Sequence, residues 1–299
     1  MEIKKLEDLK KLLVNRPKKR IVLSPAQDRQ SLGAVIKASK DGIIEPILVG
    51  HEQEIRNIAK ESGYDLTGFR IVHEADIERA TNLGIQMVSS GEAEVLMKGK
   101  IGTSTLLKGV LNKEWGLRTG NLLSHIALFE VKTYHKLITV TDVAMNIAPD
   151  LTEKIAILNN SVRCLNTLGI EMPKVAVLGA VEMVNESMKA TLDAALLSKM
   201  NQRGQITNCI VDGPLAFDNA VSLDSARYKG IKSEVAGDTD LLLMPDIEVG
   251  NVLYKSLVFF ARAKVASMIL GATAPIVLTS RSDSEQAKYH SILLAAASS

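Results

Sequence analysis

The feature that most constrains this chain is a repeating rhythm of short apolar runs, each followed by a turn and a segment of helical period. The predicted strands cover 20–24, 43–49, 69–72, 93–97, 122–131, 137–141, 175–178, 208–211, 241–244 and 276–278. Continuous apolar strands are typical of sheets that are buried on both faces, and their alternation with helices indicates βαβ units. The sequence therefore predicts an α/β protein with mainly parallel sheets.

The domain organisation is predicted from one break in this rhythm. A chain of 299 residues has about two domains' worth of polypeptide. The strands at 122–131 and 137–141 follow each other without a helix, and we predict a domain crossing near residue 133. The first domain would comprise 1–132 plus 263–299, and the second 133–262. Helices are predicted over 249–270 and 283–297, and the absence of an obvious linker predicts an interdomain cleft.

Composition excludes several classes of function. The 36 basic and 34 acidic residues nearly cancel, and aromatic residues make up only 4% of the chain. This balance offers neither a basic footprint nor stacking platforms, so we predict no nucleic-acid partner. No apolar run reaches about 18 residues, which predicts a protein without membrane association, located in the cytoplasm. Cys164 and Cys209 have no CxxC partner and the histidines show no ligand spacing, so no metal site is predicted.

The loop with the strongest chemical signal follows the last predicted strand, in Thr279-Ser280-Arg281-Ser282-Asp283-Ser284-Glu285. Ser282 and Glu285 fit a capping box at the start of the next helix. A helix N-terminus attracts anions through its free N–H groups and its dipole, and Arg281 adds a fork suited to phosphate or carboxylate. The sequence predicts an anion cradle here, although a plain helix start with a solvated arginine would look the same.

A second loop, Lys98-Gly-Lys100-Ile-Gly102-Thr103-Ser104, joins a strand to a helix. Its glycines permit a close backbone approach and its lysines supply positive charge. The loop lacks the GxxxxGK[ST] spacing of a P-loop. It is therefore a candidate anion-binding loop of a less specific kind.

Three further strand ends carry weaker signals. Asp142 and Asn146 follow the strand at 137–141, where Asp142 could orient a lysine or a water, or cap a turn. Asp212 and Asp218 follow another strand, but no third acid lies near them to complete a metal site. Gly250-Asn251 is the predicted start of a long helix.

Taken together, these motifs resemble the phosphate acetyl/butyryltransferase family. The resemblance rests on segments that occur in the family's order from about residue 20 to the end of the chain: Leu96-Met-Lys-Gly99, Thr141-Asp-Val-Ala-Met-Asn-Ile-Ala-Pro149, Asp212-Gly-Pro-Leu215, Val235-Ala-Gly237, Pro245-Asp246, Gly250-Asn-Val-Leu-Tyr-Lys255 and Leu278-Thr-Ser-Arg281. The length of the chain and Thr279–Ser284 resemble the butyryltransferase branch more than the acetyl branch.

The resemblance implies a two-domain fold of the isocitrate/isopropylmalate dehydrogenase-like type, with the active site in the cleft. It implies reversible acyl transfer between coenzyme A and inorganic phosphate, from butanoyl-CoA to butanoyl phosphate. Coenzyme A would be a substrate, and no metal or permanently bound cofactor would be required. The expected partners are acyl-CoA, phosphate and further copies of the chain in a dimer or larger homo-oligomer.

The resemblance also assigns residues. Ser280 and Arg281 match a Ser-Arg pair that stabilises the transition state and binds phosphate. A family arginine falls near Lys108, which keeps the charge but loses the bidentate fork. The family's catalytic aspartate falls on Ala287, so the base is open: Asp283 is our candidate, with Glu285 and Asp142 behind it. The expected substrate-binding residues are Lys98, Lys100, Thr103, Ser104, Lys108, Asp142, Asn146 and Ser282.

Alternatives remain at this point. The same fold could belong to a phosphate acetyltransferase, to a metal- and NAD-dependent decarboxylating dehydrogenase, or to a non-catalytic paralogue. A dehydrogenase would need several arginines for substrate carboxylates and a cluster of aspartates for its metal, and neither cluster is plain in the sequence. Ala287 is the one feature that favours a non-catalytic protein.

Overall fold

The computed structural model describes residues 3–280 and 283–299 of the chain. The chain divides into two compact units. The terminal unit comprises Glu7–Asn121 and Ala266–Ser299, and the central unit comprises Leu122–Val265 together with residues 3–6. Each unit alternates strands with helices, which confirms the α/β class expected from the rhythm of apolar runs.

The bounds of the elements are as follows, in chain order within the described residues. The strands are β1 (Lys19–Ser24), β2 (Ile44–Gly50), β3 (Arg70–His73), β4 (Val95–Lys98), β5 (Ser124–Glu130), β6 (Ile138–Thr141), β7 (Lys174–Leu178), β8 (Ile210–Leu215), β9 (Leu241–Leu243), β10 (Lys264–Leu270) and β11 (Ile276–Val277). The helices are α1 (Leu9–Leu13), α2 (Arg29–Lys40), α3 (Glu52–Ser62), α4 (Ile77–Ser89), α5 (Thr103–Val110), α6 (Leu151–Thr167), α7 (Lys189–Gln202), α8 (Phe217–Val221), α9 (Leu223–Tyr228), α10 (Ile247–Phe259) and α11 (Glu285–Ser298).

The sheet of the terminal unit is mainly parallel. Its strand order is β3-β2-β1-β4-β11-β10, and the pairs from β3 to β11 run parallel, whereas β10 and β11 are antiparallel. Every residue of β4 is buried, because helices cover both faces of such a sheet. The parallel pairing aligns the carboxyl ends of β1, β4 and β11 at one edge.

The central unit has the strand order β5-β6-β9-β7-β8. Its β5–β6 pair is antiparallel and the remaining pairs are parallel. Asp150 and Glu153 form a reciprocal capping box at the start of the long helix α6. This cap directs the chain out of the loop that follows β6.

The boundaries of the two units differ from those predicted. We expected crossings near 133 and 262, whereas the units change at Asn121/Leu122 and at Val265/Ala266. The first difference arises because β5 pairs with β6, with Leu128 opposite Thr139, so both strands belong to the same unit. The break in the rhythm at Lys132–His135 is therefore the turn of this antiparallel pair.

The helix predicted over 249–270 is wrong in its second half. Helix α10 ends at Phe259, Arg262 adopts a positive φ of 49°, and β10 then occupies Lys264–Leu270. Residues 265–270 form a short, mainly apolar run, and such a run has no periodicity that separates a buried strand from a buried helix. The sequence pattern could therefore not detect where the helix stopped.

A buried ion pair links two helices of the central unit. Nζ of Lys154 on α6 lies 2.6 Å from Oδ2 of Asp193 on α7, and both side chains are almost fully buried. Exposed Lys189 donates to the same oxygen at 2.6 Å. Burial raises the pKa of Asp193, but the hydrogen bonds from Lys154 and Lys189 lower it by more than burial raises it. The pKa of Asp193 therefore lies below its usual range. The carboxylate is therefore charged at neutral pH.

We predict that Asp193→Asn lowers the free energy of unfolding at pH 7 by roughly 3 kcal/mol, because it leaves the Lys154 ammonium buried without its counter-ion. Since the folded pKa of Asp193 is lowered, its contribution is present at neutral pH and is lost as the pH falls through that folded value. The difference in the free energy of unfolding between wild type and Asp193→Asn should therefore become smaller as the pH falls. Urea unfolding at several pH values measures it.

The matched control is Glu52→Gln, which breaks the exposed Glu52–Arg56 pair on α3 and should cost less than about 1 kcal/mol. The double variant Lys154→Met/Asp193→Leu removes both buried charges and should recover much of the lost stability. Equal losses for Asp193→Asn and Glu52→Gln would contradict the importance of the buried pair.

Candidate active site

The candidate site of the terminal unit lies where β1, β4 and β11 end. Ser24 stands opposite Lys98 in the β1–β4 pair, and Val277 stands opposite Met97 in the β11–β4 pair. Loops that follow neighbouring parallel strands meet at the same edge of the sheet, which is where α/β proteins bind ligands. The structure thus brings together the two loops that the sequence ranked highest.

Gly99 holds the loop Lys98–Gly102, called the lysine loop below, against the end of β1. Its N–H donates to the carbonyl of Ser24 at 3.0 Å, and the N–H of Lys100 donates to the carbonyl of Pro25 at 3.2 Å. A Cβ atom at Gly99 would lie 1.6 Å from that Pro25 oxygen, so the contact requires glycine. Lys98 is buried, with its Nζ 3.4 Å from the Gly99 carbonyl oxygen, whereas Lys100 is exposed.

The loop after β11 is closed by Asp283. Its Oδ2 accepts the N–H of Ser280 at 2.7 Å, and its own N–H donates to the Ser280 carbonyl at 3.1 Å. Asp283 is 8% exposed, while Ser280 is exposed. The loop therefore presents Ser280 at the surface and keeps the carboxylate beneath it.

The predicted cap of the last helix requires a correction. Helix α11 begins at Glu285, and its N-cap is Ser284, whose Oγ accepts the N–H of Ala287 at 3.2 Å. The predicted cap, Ser282, lies two residues before this N-cap. The helix begins later than predicted because the N–H of Asp283 bonds back to the Ser280 carbonyl before the helix starts. Arg281 and Ser282, which carry the expected phosphate contacts, lie outside the described residues.

Glu285, the second candidate base, faces helix α2. Its Oε2 accepts the hydroxyl of Tyr64 at 3.1 Å. A Cβ atom at Gly33 on α2 would lie 2.4 Å from the same oxygen, so the carboxylate is packed directly on that helix. These contacts give Glu285 a structural role at the start of α11.

Helix α5 follows the lysine loop directly. Gly102 is its N-cap and has no side chain to accept a hydrogen bond from the first N–H groups of the helix. Thr103 and Ser104 are exposed at the first two helical positions, and Lys108 is exposed further along. A helix N-terminus with hydroxyl groups and an adjacent lysine, Lys100, suits an anionic group.

A buried lysine of this site was missed by sequence reasoning. Nζ of Lys288 on α11 donates to Oγ1 of Thr279 at 3.0 Å and lies 3.5 Å from the Ser280 carbonyl oxygen. Burial lowers the pKa of Lys288, while Asp28 and Asp283 oppose that shift. A signal was present, since Lys288 shares a helical face with Ile292 and Ala295, which are buried.

In the central unit, Asp142 organises its own loop. Its two oxygens accept the N–H groups of His125, Ala144 and Met145 at 2.8–3.0 Å and Nδ2 of Asn146 at 2.7 Å. Asn146 also donates to the Leu123 carbonyl at 3.0 Å. Both predicted substrate-binding side chains are thus engaged in holding the loop after β6.

Two other predicted strand ends also differ from expectation. Asp212 lies within β8, which continues through Leu215, so its carboxylate does not follow the strand. Helix α10 begins at Ile247 with Asp246 as its N-cap, earlier than Gly250. Gly250 serves the Asp142 loop instead, because a Cβ atom there would lie 2.3 Å from the Asp142 carbonyl oxygen.

Across residues 3–280 and 283–299, no group of three or more histidine, cysteine, aspartate or glutamate side chains is arranged to hold a metal ion. In the same part of the chain, no helix combines the length and apolarity needed to span a membrane. The observed features are an α/β sheet and a cationic, hydroxyl-bearing strand edge. They define a protein of the α/β class whose strand edge has the charge and donors suited to an anion, at the place where enzymes of this class bind substrates.

Comparison with known proteins identifies the family. The model of the Phosphate acetyl/butaryl transferase family matches residues 5–83 and 73–296. The chain is 48% identical over 294 residues to the phosphate butyryltransferase of Clostridium acetobutylicum, covering 98% of each protein. It is 46% identical to the phosphate acetyltransferase of Thermotoga maritima, covering 93% of this chain and 94% of that protein. The chain belongs to the Phosphate acetyl/butaryl transferase family.

Solved structures agree with this assignment. A branched-chain phosphotransacylase from Enterococcus faecalis superposes with a TM-score of 0.83 at 33% identity, covering 94% of this chain and 98% of that one. A 4-hydroxythreonine-4-phosphate dehydrogenase from Klebsiella pneumoniae superposes with a TM-score of 0.57 at 12% identity, covering 93% of this chain and 98% of that one. The second likeness concerns the fold alone, and it agrees with the dehydrogenase-like fold expected from the motifs.

We predict that Gly99→Ala lowers the free energy of unfolding by at least about 2 kcal/mol, because the new Cβ forces Pro25 away from the lysine loop. Acyl transfer should fall with it, since Lys98 and Lys100 move. Gly102→Ala is the matched control: its Cβ meets no atom closer than 3.8 Å, and it should lose less than about 1 kcal/mol. Urea unfolding and initial rates measure both, and equal behaviour of the two variants would disprove the Gly99 contact.

Proposed function

We propose that this protein catalyses the reversible transfer of a short-chain acyl group between coenzyme A and inorganic phosphate, with butanoyl-CoA as the preferred thioester. The observation that carries the proposal is the match to phosphate butyryltransferase over 98% of the chain. The anion-binding edge of the terminal unit supports it independently. The decarboxylating dehydrogenase and the non-catalytic paralogue are not favoured.

The phosphate group is bound, in this proposal, at the edge where β4 and β11 end. Lys100, Thr103 and Ser104 supply exposed charge, hydroxyl groups and helix N–H groups, and Lys98 adds buried positive charge beneath them. Arg281, Ser282 and Lys108 complete the proposed set from the sequence. A dianion attracts such donors more strongly than a neutral carbonyl does, which makes the edge suited to phosphate.

The chemical step is a direct transfer in a ternary complex. A carboxylate takes the proton of the coenzyme A thiol, the thiolate forms a C–S bond to the acyl carbonyl, and the C–O bond to phosphate breaks. Charge develops on the carbonyl oxygen in the transition state. Ser280, which is exposed at the strand end, donates a hydrogen bond to that oxygen. The departing phosphate is stabilised by Lys98 and Lys100, and the reverse reaction uses the same groups.

Asp283 is the proposed base. Its Oδ2 lies 2.7 Å from the N–H of Ser280, so the carboxylate is next to the serine that faces the carbonyl. Glu285 is a weaker candidate because it bonds Tyr64 and packs on α2. Asp142 is weaker still, because four donors already occupy its oxygens.

No permanently bound cofactor enters this proposal, and coenzyme A acts as a substrate. We place the protein in the cytoplasm, where coenzyme A thioesters are used. The two cysteines, Cys164 and Cys209, are buried thiols, which fits a reducing compartment.

We also propose a homo-oligomer, a dimer or larger. Helix α10 of the central unit exposes Val249, Val252 and Phe259, and Phe260 at its end is 90% exposed. Val249 and Val252 line an apolar groove of about 440 Å³ that also includes Phe217 and Leu178. Monomers rarely expose an apolar patch of this kind, and a second copy of the chain would bury it.

We predict thiol release from butanoyl-CoA in the presence of phosphate, with lower kcat/KM for propanoyl-CoA and acetyl-CoA. Ser280→Ala should lower kcat about a hundredfold, because the transition state loses one hydrogen-bond donor. Ser298→Ala, at the far end of α11, is the control and should keep wild-type rates. Preference for acetyl-CoA would reassign the acyl specificity, and NAD reduction without thiol release would overturn the proposed function.

For the oligomer, we expect Val252→Glu to shift the protein to a monomer in size-exclusion chromatography with light scattering. A carboxylate at this 65% exposed position would have to be buried against the apolar face of the partner copy. Lys199→Glu, an exposed change on α7, should leave the oligomer intact. A wild-type chain that is monomeric at all concentrations would refute the proposal.

A further inference from the structure

Lys288 occupies a position that helix stability does not explain. It lies in the first turn of α11 and is 4% exposed, with its helical face continuing into the core through Ile292 and Ala295. Lysines are almost never fully buried unless they are paired, because desolvation of the ammonium is costly. A cation in the first turn also faces the positive end of the helix dipole. The contacts of the side chain must therefore account for it.

The hydrogen-bond partners of Lys288 are Thr279 and Ser280, at the end of β11. Nζ donates to Oγ1 of Thr279 at 3.0 Å and lies at the limit of hydrogen-bond distance, 3.5 Å, from the Ser280 carbonyl oxygen. The carboxylates that act on Lys288 are Asp28, the N-cap of α2, and Asp283 in the loop after β11. Both favour the charged amine, whereas burial lowers its pKa. The ammonium is thus placed directly beneath Thr279 and Ser280.

The main chain of Ser280 is held on both sides as a result. On one side, Asp283 accepts the N–H of Ser280 at 2.7 Å. On the other, Lys288 approaches the carbonyl and donates to the preceding residue, Thr279. Thr279, Asp283 and Lys288 are buried, while Ser280 is exposed. Ser280 is thus exposed, whereas the charged residues that hold its main chain are buried.

We propose that Lys288 is a positioning residue for Ser280, and that its charge also strengthens phosphate binding at the end of β11. This inference rests on the proposed acyl transfer to phosphate and assigns a residue to that same site. Lys288 acts through Thr279 and the Ser280 main chain, and through its field on the bound dianion. It does not touch the acyl group.

Two kinetic effects follow. Loss of the ammonium frees the Thr279–Ser280 turn, and a small displacement of a catalytic hydroxyl costs up to about a hundredfold in rate. Removal of a buried positive charge near the phosphate weakens phosphate binding. We expect little effect on thioester binding, because Lys288 does not touch the acyl group. Lys288→Met should therefore lower kcat by about 10- to 100-fold and raise the KM for phosphate, with the KM for butanoyl-CoA within about twofold.

The first experiment compares Lys288→Met with Lys60→Met, which removes an exposed lysine of α3. Methionine keeps the length of the side chain without its charge, and circular dichroism and thermal unfolding establish that each variant is folded. The split between the two KM values is the readout that a purely structural role would not produce. A folded Lys288→Met with kcat within about twofold of wild type overturns the proposal.

A second pair of variants keeps Lys288 in place and removes its acceptor. Thr279→Val replaces the hydroxyl with a methyl group, whereas Thr279→Ser retains it. We expect kcat to fall at least about fivefold in Thr279→Val and to stay near wild type in Thr279→Ser. If Lys288→Met does not fold, this pair decides the question, and equal rates for the two Thr279 variants overturn the proposal.

Calorimetric titration with inorganic phosphate separates this inference from the proposed function. A wild type that binds phosphate but turns over no thioester contradicts the proposed function. In that case, phosphate binding at least about fivefold weaker in Lys288→Met than in wild type still supports the inference, and equal binding overturns it. A wild type that neither turns over thioesters nor binds phosphate overturns both.

Discussion

The parallel pairing of β1, β4 and β11 is the constraint on which the rest of the terminal unit depends. Backbone hydrogen bonds place the ends of these strands side by side, with Ser24 opposite Lys98. The contact continues beyond the strands, because the N–H groups of Gly99 and Lys100 donate to the carbonyls of Ser24 and Pro25. The lysine loop and the loop after β11 are far apart in the chain but lie at one edge of the sheet. A single anion could contact both.

Buried charge has two different uses in this protein. In the central unit, Lys154 is neutralised by Asp193 at 2.6 Å, and the pair joins two helices. In the terminal unit, the ammonium of Lys288 bonds a neutral hydroxyl, and the carboxylates of Asp28 and Asp283 act on it without closing a comparable ion pair in the described residues. A close ion pair has little field left for a ligand, whereas a less tightly compensated ammonium retains one. The second arrangement therefore suits a site that binds an anion.

Much of the fold and part of the site could be predicted from local pattern. The apolar runs mark most strands because a parallel strand is buried on both faces, and the Asp150–Glu153 cap is a purely local signal. The errors have physical causes as well. The run through 249–270 hides a change from helix to strand, and Asp212 continues a strand that the pattern ends too early. The sequence also did not show that Asp142 and Asn146, which are predicted to bind substrate, hold their own loop through hydrogen bonds.

The sequence by itself determined the α/β class, the family resemblance and the candidates Ser280 and Lys98, because strand patterns and motif order are encoded in local stretches of chain. The tertiary structure decided which polar groups are partnered. It placed Asp283 on the Ser280 N–H, turned Glu285 toward Tyr64 and put Lys288 beneath Thr279. Such contacts join side chains whose approach depends on strand register and helix packing, and spacing along the chain cannot specify either.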